Sequence, residues 1–338
     1  VSAPDQGSTG VRLHVVSGKG GTGKTTAAAA LALSLAADGG RVLLVEVEGR
    51  QGLAELFGRD PLPYEERKVA EARGGGEVVA LAVDAEAALM EYLEMFYGIR
   101  RAGQVLTRFG AVDFATTIAP GVRDVLLTGK ATEAVRRREG GRRSRREEAP
   151  YSYDAVVLDA PPTGRIAQFL CVNAEVAGLA RMGPIRNHAD KAMATIRSSA
   201  TAVHFVALPE EMPAQEAADG LAEVREAGLN PGFVLLNMVH EPLLPPDVLE
   251  AAEHGEVDTE ALAQGLKAAR LDAPRDRASA LAQEVTAHAQ RVGAESAVRR
   301  RLRALGRPML ELPFLGGGID TDALFRLSDR LTAQGVAR

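Results

Sequence analysis

Apolar residues along this chain are grouped in two ways. Short runs rich in valine and leucine, apolar on both faces, alternate with longer alanine-rich stretches of helical spacing. The short runs read as buried parallel strands, which are covered on both sides and need no polar face. They are "RLHVVS" (12–17), "RVLLVEV" (41–47), "EVVALAV" (77–83), "DAVVLD" (154–159), "AVHFVAL" (202–208), "GFVLLNM" (232–238) and "PMLELP" (308–313). Together they predict an α/β fold, a mostly parallel sheet of seven to eight strands with helices on both faces.

One interval breaks the rhythm. About 70 residues separate the third and fourth strands, far more than a single crossover helix needs. Ala85, Ala88, Leu89, Tyr92, Leu93 and Phe96 share one helical face there, and a second apolar region runs from Val105 to Leu127. A helical subdomain inserted at about 84–135 is the simplest organisation, with additional helices at about 171–200. Residues 246–303 add two or three more helices. The stripe at 85–96, with Met90 and Met95 beside it, suits either a core face or an adaptable groove for an apolar client. Residues 1–10 are small and polar and read as a flexible leader, which leaves 11–338 as a single domain. The leader lacks the hydrophobic segment of a secretory signal. No apolar run reaches the roughly 20 residues that cross a bilayer.

Composition refines this picture. Hydrophobic residues make up 46% but aromatics only 4%, with no Trp, so alanine, leucine and valine must fill the core. The formal net charge of −5 argues against a general nucleic-acid binder, and no specific nucleic acid is expected as a partner. "RRREGGRRSRREE" (136–148) departs from that balance and reads as a solvated loop or as the dock of an anionic partner. The single cysteine, Cys171, excludes an internal disulfide or a cysteine-rich metal site within one chain. It fits a reducing, cytoplasmic setting. The six histidines show no metal-ligand spacing, and His204, inside a predicted strand, reads as a packed or an exposed residue rather than a ligand.

The candidate chemistry begins at the end of the first strand. "GKGGTGKT" from Gly18 to Thr25 has the G-x-x-x-x-G-K-[ST] spacing and sits between a strand and a helix. Gly20, Gly21 and Gly23 let the backbone turn so that successive N–H groups, including that of Thr22, converge on phosphate oxygens. The positive end of the following helix faces the same anion. Lys24 is expected to reach the β- and γ-phosphates of ATP, Thr25 to ligate Mg²⁺, and Thr26 to bond the α-phosphate. Asp159, at the end of the fourth strand, has the position of the second acid, which holds a water on Mg²⁺. The fold is thus expected to be that of a P-loop NTPase.

A second lysine, Lys19, makes the loop K-G-G-T-G-K-T. In this the chain resembles the dimeric ATPases with a deviant phosphate-binding loop, in which the early lysine reaches across a dimer to the partner's phosphates. "DAPPTGRIAQFL" (159–170) is similar to the D-T-A-P-T-G-H-T-L-R switch of the arsenical-pump and guided-entry ATPases, matching it at Asp159, Pro162, Thr163 and Gly164. "APGVRDVLL" (119–127) resembles the family's P-G-I-D-E stretch. "EGRQGLAELF" (48–57) stands where the family has D-P-A-H-S-L-S-D-A-F, which places Glu48 at the water-orienting aspartate. Its carboxylate lies one methylene farther out, and a misplacement of about 1 Å can cost on the order of a hundredfold in rate. The resemblance therefore implies slow or partner-dependent hydrolysis. It also implies that Asn237 reads the adenine edge and that Pro313 belongs to the loop over the adenine ring.

The resemblance further implies an ATPase that works as a homodimer, or as a heterodimer with a related chain, and handles a hydrophobic or membrane-protein client. Metalloid pumping and an interfacial zinc clamp both need clustered cysteines, so neither is expected, and no metal beyond Mg²⁺ is proposed. Two alternatives stay open. One is a non-catalytic ATP-binding subunit; the other is a partitioning or division-site ATPase, which the mixed charges of "DALFRLSDRLTAQGVAR" (322–338) disfavour at a membrane.

Overall fold

The computed structural model describes residues 10–97, 120–139, 149–179, 184–271 and 275–336. Most of the expected leader, the middle of the expected helical insertion and the tip of the arginine-rich segment lie outside the described residues, as do the side chains of Tyr92 to Phe96.

Eight strands form one sheet: β1 (Leu13–Gly18), β2 (Arg41–Glu46), β3 (Arg67–Glu71), β4 (Glu77–Ala82), β5 (Ala155–Asp159), β6 (Thr201–Ala207), β7 (Pro231–Val239) and β8 (Met309–Pro313). Their order is β3-β4-β2-β5-β1-β6-β7-β8. All neighbours are parallel except β3, which runs antiparallel to β4. The seven predicted strands are present with ends moved by a residue or so. β3 is the addition. Its sequence, "RKVAE", buries only Val69, because a sheet edge needs one apolar anchor and carries charge elsewhere.

The helices are α1 (Lys24–Ala36), α2 (Gly52–Leu56), α3 (Ala85–Tyr97), α4 (Pro120–Arg136), α5 (Thr163–Leu179), α6 (Pro184–Arg197), α7 (Glu211–Glu226), α8 (Pro246–Glu253), α9 (Thr259–Ala268), α10 (Arg275–Arg303) and α11 (Thr321–Ala333). Alternation along the strands divides the core. Leu43 and Val45 of β2 face one cluster, with Leu126 and Ala131 of α4 and Ile166 and Phe169 of α5. Val42 and Leu44 face the other, with α1 and with Leu324, Leu327 and Leu331 of α11. Ala27 to Ala30 of α1 are wholly buried, and their small side chains let the helix lie close against the sheet and α11. Ala88 and Leu89 of α3 join the first cluster, with Met90 packed against it. Residues 246–303 form three helices, of which α10 spans 29 residues.

This topology fixes where chemistry can occur. β1 lies between β5 and β6, and β5 separates β1 from β2. In the parallel register Asp159 is level with Val16 of β1 and with Glu46 of β2. The loop after β1 and the acids ending β2 and β5 therefore emerge side by side at the carboxyl ends of the strands.

Candidate nucleotide site

The loop between β1 and α1 is built on close backbone approaches. A Cβ on Gly18 would lie 2.4 Å from the Val206 carbonyl oxygen of β6. Gly23 has φ +80°, and a Cβ there would lie 2.5 Å from Asn237 Nδ2. Asn237 uses that nitrogen to donate to the Thr22 carbonyl at 2.9 Å. The Thr22 hydroxyl donates to the Lys19 carbonyl at 2.8 Å, closing the turn from within. Gly20 and Gly21 have nothing within 4 Å of where a Cβ would stand, so that side of the loop is open.

A cavity of about 560 Å³ opens against this loop. Gly20, Gly21, Gly23, Lys24, Thr25 and Thr26 line it from the loop and α1, while Glu46, Glu48 and Asp159 line it from the ends of the neighbouring strands. Lys24 is buried to 8% exposure, and its charge acts on the Asp159 carboxylate. The Thr25 hydroxyl donates to Asp159 Oδ2 at 2.7 Å. Asp159 Oδ1 is buried without a hydrogen-bond partner among the described residues. Burial is the main cause that lifts the Asp159 carboxyl to about 6; the Thr25 hydrogen bond and Lys24 oppose the shift, and Glu46 and Glu48 add to it.

An orphaned carboxylate oxygen beside a threonine hydroxyl, with a lysine close by, is a donor set suited to a hard divalent cation bound to phosphate. Thr25 and Asp159 are the residues that fit Mg²⁺. Among the described residues no group of three or more His, Cys, Asp or Glu forms a metal cluster by itself.

Four residues singled out in the sequence are not in the cavity wall. Thr22 is turned inward, as described, and Asn237 lies beneath the loop. Pro313 ends β8, paired with Val239, and Phe314 after it stacks on His240 at 4.8 Å. Lys19 Nζ pairs with Glu216 Oε1 of α7 at 2.7 Å and so faces another part of its own chain. The Coulombic contact is half-exposed and weak.

Sequence reasoning passed over Glu46. It is buried, and its two oxygens accept the backbone N–H groups of Gly52 (3.1 Å) and Leu53 (3.2 Å) at the start of α2. This clamp anchors the segment that carries Glu48 and Arg50, both in the cavity wall. The signal was present: an acid at the last position of an otherwise apolar, fully covered strand needs a partner. Ile319, also in the wall, gave no such signal.

The anion-transporting ATPase family matches this chain over residues 11–196, from the start of β1 to the last turn of α6. The chain belongs to that family. This anion-transporting ATPase homologue is 49% identical over 329 residues to the ATPase BagA of Mycobacterium tuberculosis, covering 97% of this chain and 94% of the relative. It is 28% identical to the ATPase GET3 of Kluyveromyces lactis over 186 residues, about half of each chain. It is 27% identical to the putative arsenical pump-driving ATPase 2 of Aquifex aeolicus over 157 residues, 46% of each. The two lower-identity relatives fit the resemblance read from the loop and switch motifs. As in the sequence, no described helix is long and apolar enough to cross a membrane.

Proposed function

We propose that this chain is a Mg²⁺-dependent ATP hydrolase whose nucleotide-driven opening and closing as a dimer handles a hydrophobic or membrane-protein client. The observation that carries the hydrolase reading is the buried, unpartnered Asp159 Oδ1 beside the Thr25 hydroxyl in the wall of the loop cavity. Bound Mg²⁺ would supply Lewis-acid neutralisation of the phosphate charge. Thr25 would hold the cation through its hydroxyl oxygen, and Asp159, whose Oδ1 is already without a partner, would accept from a water on it. Lys24, whose charge already acts on Asp159, brings its ammonium to the β- and γ-phosphates, and the N–H groups of Gly20 and Gly21, in the cavity wall, receive phosphate oxygens. Glu48, on the segment that Glu46 fixes, orients the attacking water. Asn237 has its carboxamide oxygen for the adenine amino group while one amide hydrogen stays on Thr22, and Pro313 and Phe314 lie beside it at the ends of adjacent strands.

Lys19 acts in the partner subunit, where its charge meets the transition state; to do so it must leave Glu216. That pairing is also the specific observation favouring a second reading. A chain whose Lys19 stays with Glu216 and whose water-positioning acid is a glutamate would be the ATP-binding, non-hydrolysing half of a heterodimer. The client is proposed on the guided-entry resemblance alone.

The deciding experiment is Mg²⁺-dependent ATP hydrolysis by the purified chain, with Lys24→Ala as control. Turnover that Lys24→Ala lacks is the expected result. Mg·ATP binding without turnover selects the second reading, and tight Mg·ATP binding by Lys24→Ala would sink the assignment of the loop.

A further inference from the structure

A second cavity lies at the opposite end of the sheet, at the amino ends of β1, β6, β7 and β8, and encloses about 360 Å³. That volume is within the range of small-molecule sites, roughly 300–1,000 Å³. Two buried histidines, His14 of β1 and His204 of β6, form part of its wall.

Their hydrogen bonds fix their protons. His204 Nδ1 accepts the Phe233 backbone N–H at 3.2 Å, so the neutral ring carries its proton on Nε2. Nε2 lies 3.1 Å from His14 Nδ1 and donates to it. His14 therefore bears its own proton on Nε2, where no hydrogen-bond acceptor is in place among the described residues. The Val11 backbone lies near enough to favour the charged ring slightly, but burial dominates and holds His14 down at about 4. Burial, His14 and Arg307 likewise hold His204 well below the ordinary imidazole range. Both rings are neutral at physiological pH. Gly232 is required for this arrangement, since a Cβ there would stand 2.2 Å from His204 Nδ1.

The cation of the site is Arg307, half-buried in the wall. It donates through Nε to the Gly232 carbonyl at 2.9 Å and through Nη2 to that of Pro231. It has no carboxylate partner among the described residues, and no Asp or Glu lines the cavity, although the chain has 45 acids. Val11, Ala202, Leu310 and Val336 line it with apolar groups, and of the polar residues beside them Thr201, Asn230 and Gln334 already spend their side chains on hydrogen bonds within the fold. A lone guanidinium over an apolar chamber, with imidazoles held neutral, is complementary to one charge of negative sign on an apolar body.

We propose that this cavity binds a small amphiphilic monocarboxylate, its carboxylate on Arg307 and its apolar body in the chamber lined by His14 and His204. The site is separate from the nucleotide loop, which lies beyond the carboxyl ends of the same strands, and the proposal does not depend on ATP hydrolysis.

The test uses sodium octanoate as probe and octylamine, with the same chain and the opposite charge, as control. Calorimetry on the full chain without nucleotide should show one saturable octanoate site and no octylamine binding there. Arg307→Gln should weaken octanoate binding by about ten- to a hundredfold, as expected for losing a charge-assisted hydrogen bond. Arg307→Lys keeps the charge and should retain most of the affinity, which separates loss of charge from loss of fold. Because octanoate can also enter an apolar client groove, histidine-selective NMR supplies the location. Of the six histidines, the resonances of His14 and His204 should move with octanoate. Absence of binding, equal binding of octylamine, equal affinity in Arg307→Gln, or binding that leaves His14 and His204 unmoved would each overturn the proposal.

Discussion

Replacing Asp159 by asparagine should make the nucleotide-free protein more stable while removing its proposed activity. The carboxyl is lifted from its ordinary value of 3.8 to about 6, chiefly by burial. Above pH 6 the folded state therefore carries an ionised group that it holds less well than the unfolded chain does. At about 1.4 kcal/mol per tenfold, that step costs about 3 kcal/mol at pH 8. The sign follows from the raised value: the penalty is full above the folded pKa and fades as pH falls toward 3.8. Asparagine is neutral throughout and can still accept from Thr25. Its buried amide then lacks an acceptor, which costs about 1–2 kcal/mol at every pH. The net expectation is a gain of about 1–2 kcal/mol at pH 8. The pH dependence is the firmer quantity, because the amide cost cancels from it. Between pH 8 and pH 4 the advantage of Asp159→Asn should shrink by about 2 kcal/mol. Urea denaturation with EDTA, at both pH values and for both proteins, measures this directly. A stability difference that does not change with pH, or a wild type that gains on the variant as pH rises, would refute the reasoning. With Mg·ATP the order should reverse in function: hydrolysis should fall by about 10- to 100-fold, as for loss of an outer-shell metal partner.

Other perturbations address separate parts of the molecule. Gly23→Ala forces a left-handed residue to carry a Cβ 2.5 Å from Asn237 Nδ2, so it should lower the melting temperature and weaken nucleotide binding together; native values of both would contradict the described loop. Lys19→Ala should leave ATP affinity and stability nearly unchanged, since its exposed pair with Glu216 contributes at most about 1 kcal/mol, yet abolish single-turnover hydrolysis. Normal turnover would end the cross-subunit role. His14 has the opposite sign from Asp159: its lowered value means stability present above pH 6.5 and lost as pH falls toward 4. Relative to His14→Gln, the wild type should lose about 3 kcal/mol over that window, read from urea midpoints, and a flat difference would show that His14 is not buried neutral.

Six of the seven strands that sequence reasoning located lie inside the sheet, where continuous apolar runs leave few other folds for them; the seventh, β8, is an edge strand that still buries Leu310 and Leu312. β3 was missed for the converse reason: at a sheet edge only Val69 is fully covered, and "RKVAE" carries no run to detect. The loop residues that line the cavity were legible because their spacing, from Gly18 to Thr26, is local, and local spacing is what a sequence displays. Lys19 shows the limit. Its place in the motif is plain, but the pair it makes with Glu216 joins residues from distant parts of the chain and depends on where α7 packs. Asn237 is similar: the residue stood out at a strand end, while its bond to Thr22 follows from β7 lying two strands from β1. Long-range contacts of side chains are set by sheet order, which no local pattern encodes.

Glu46 and Asp159 make the same point about chemistry. They occupy equivalent positions in the register of β2 and β5, and both are almost fully buried. Two adjacent carboxylates in one low-dielectric corner repel each other, so each must find compensation or be protonated. Glu46 finds it within the fold, from two amide N–H groups at the start of α2. Asp159 has one hydroxyl and a distributed attraction from Lys24, and one oxygen remains bare. Both line the cavity, but the satisfied acid holds the backbone while the unsatisfied one presents a bare oxygen. A cation is the partner that would lower the cost of Asp159 most, and it would do so without disturbing Glu46. Hence Glu46→Gln, which keeps an acceptor but loses the charge, should impair the placement of Glu48 and slow turnover while leaving Mg·ATP affinity close to native. Loss of Mg·ATP binding in Glu46→Gln would instead mean that both acids serve the cation and that the division of labour drawn from their hydrogen bonds is wrong.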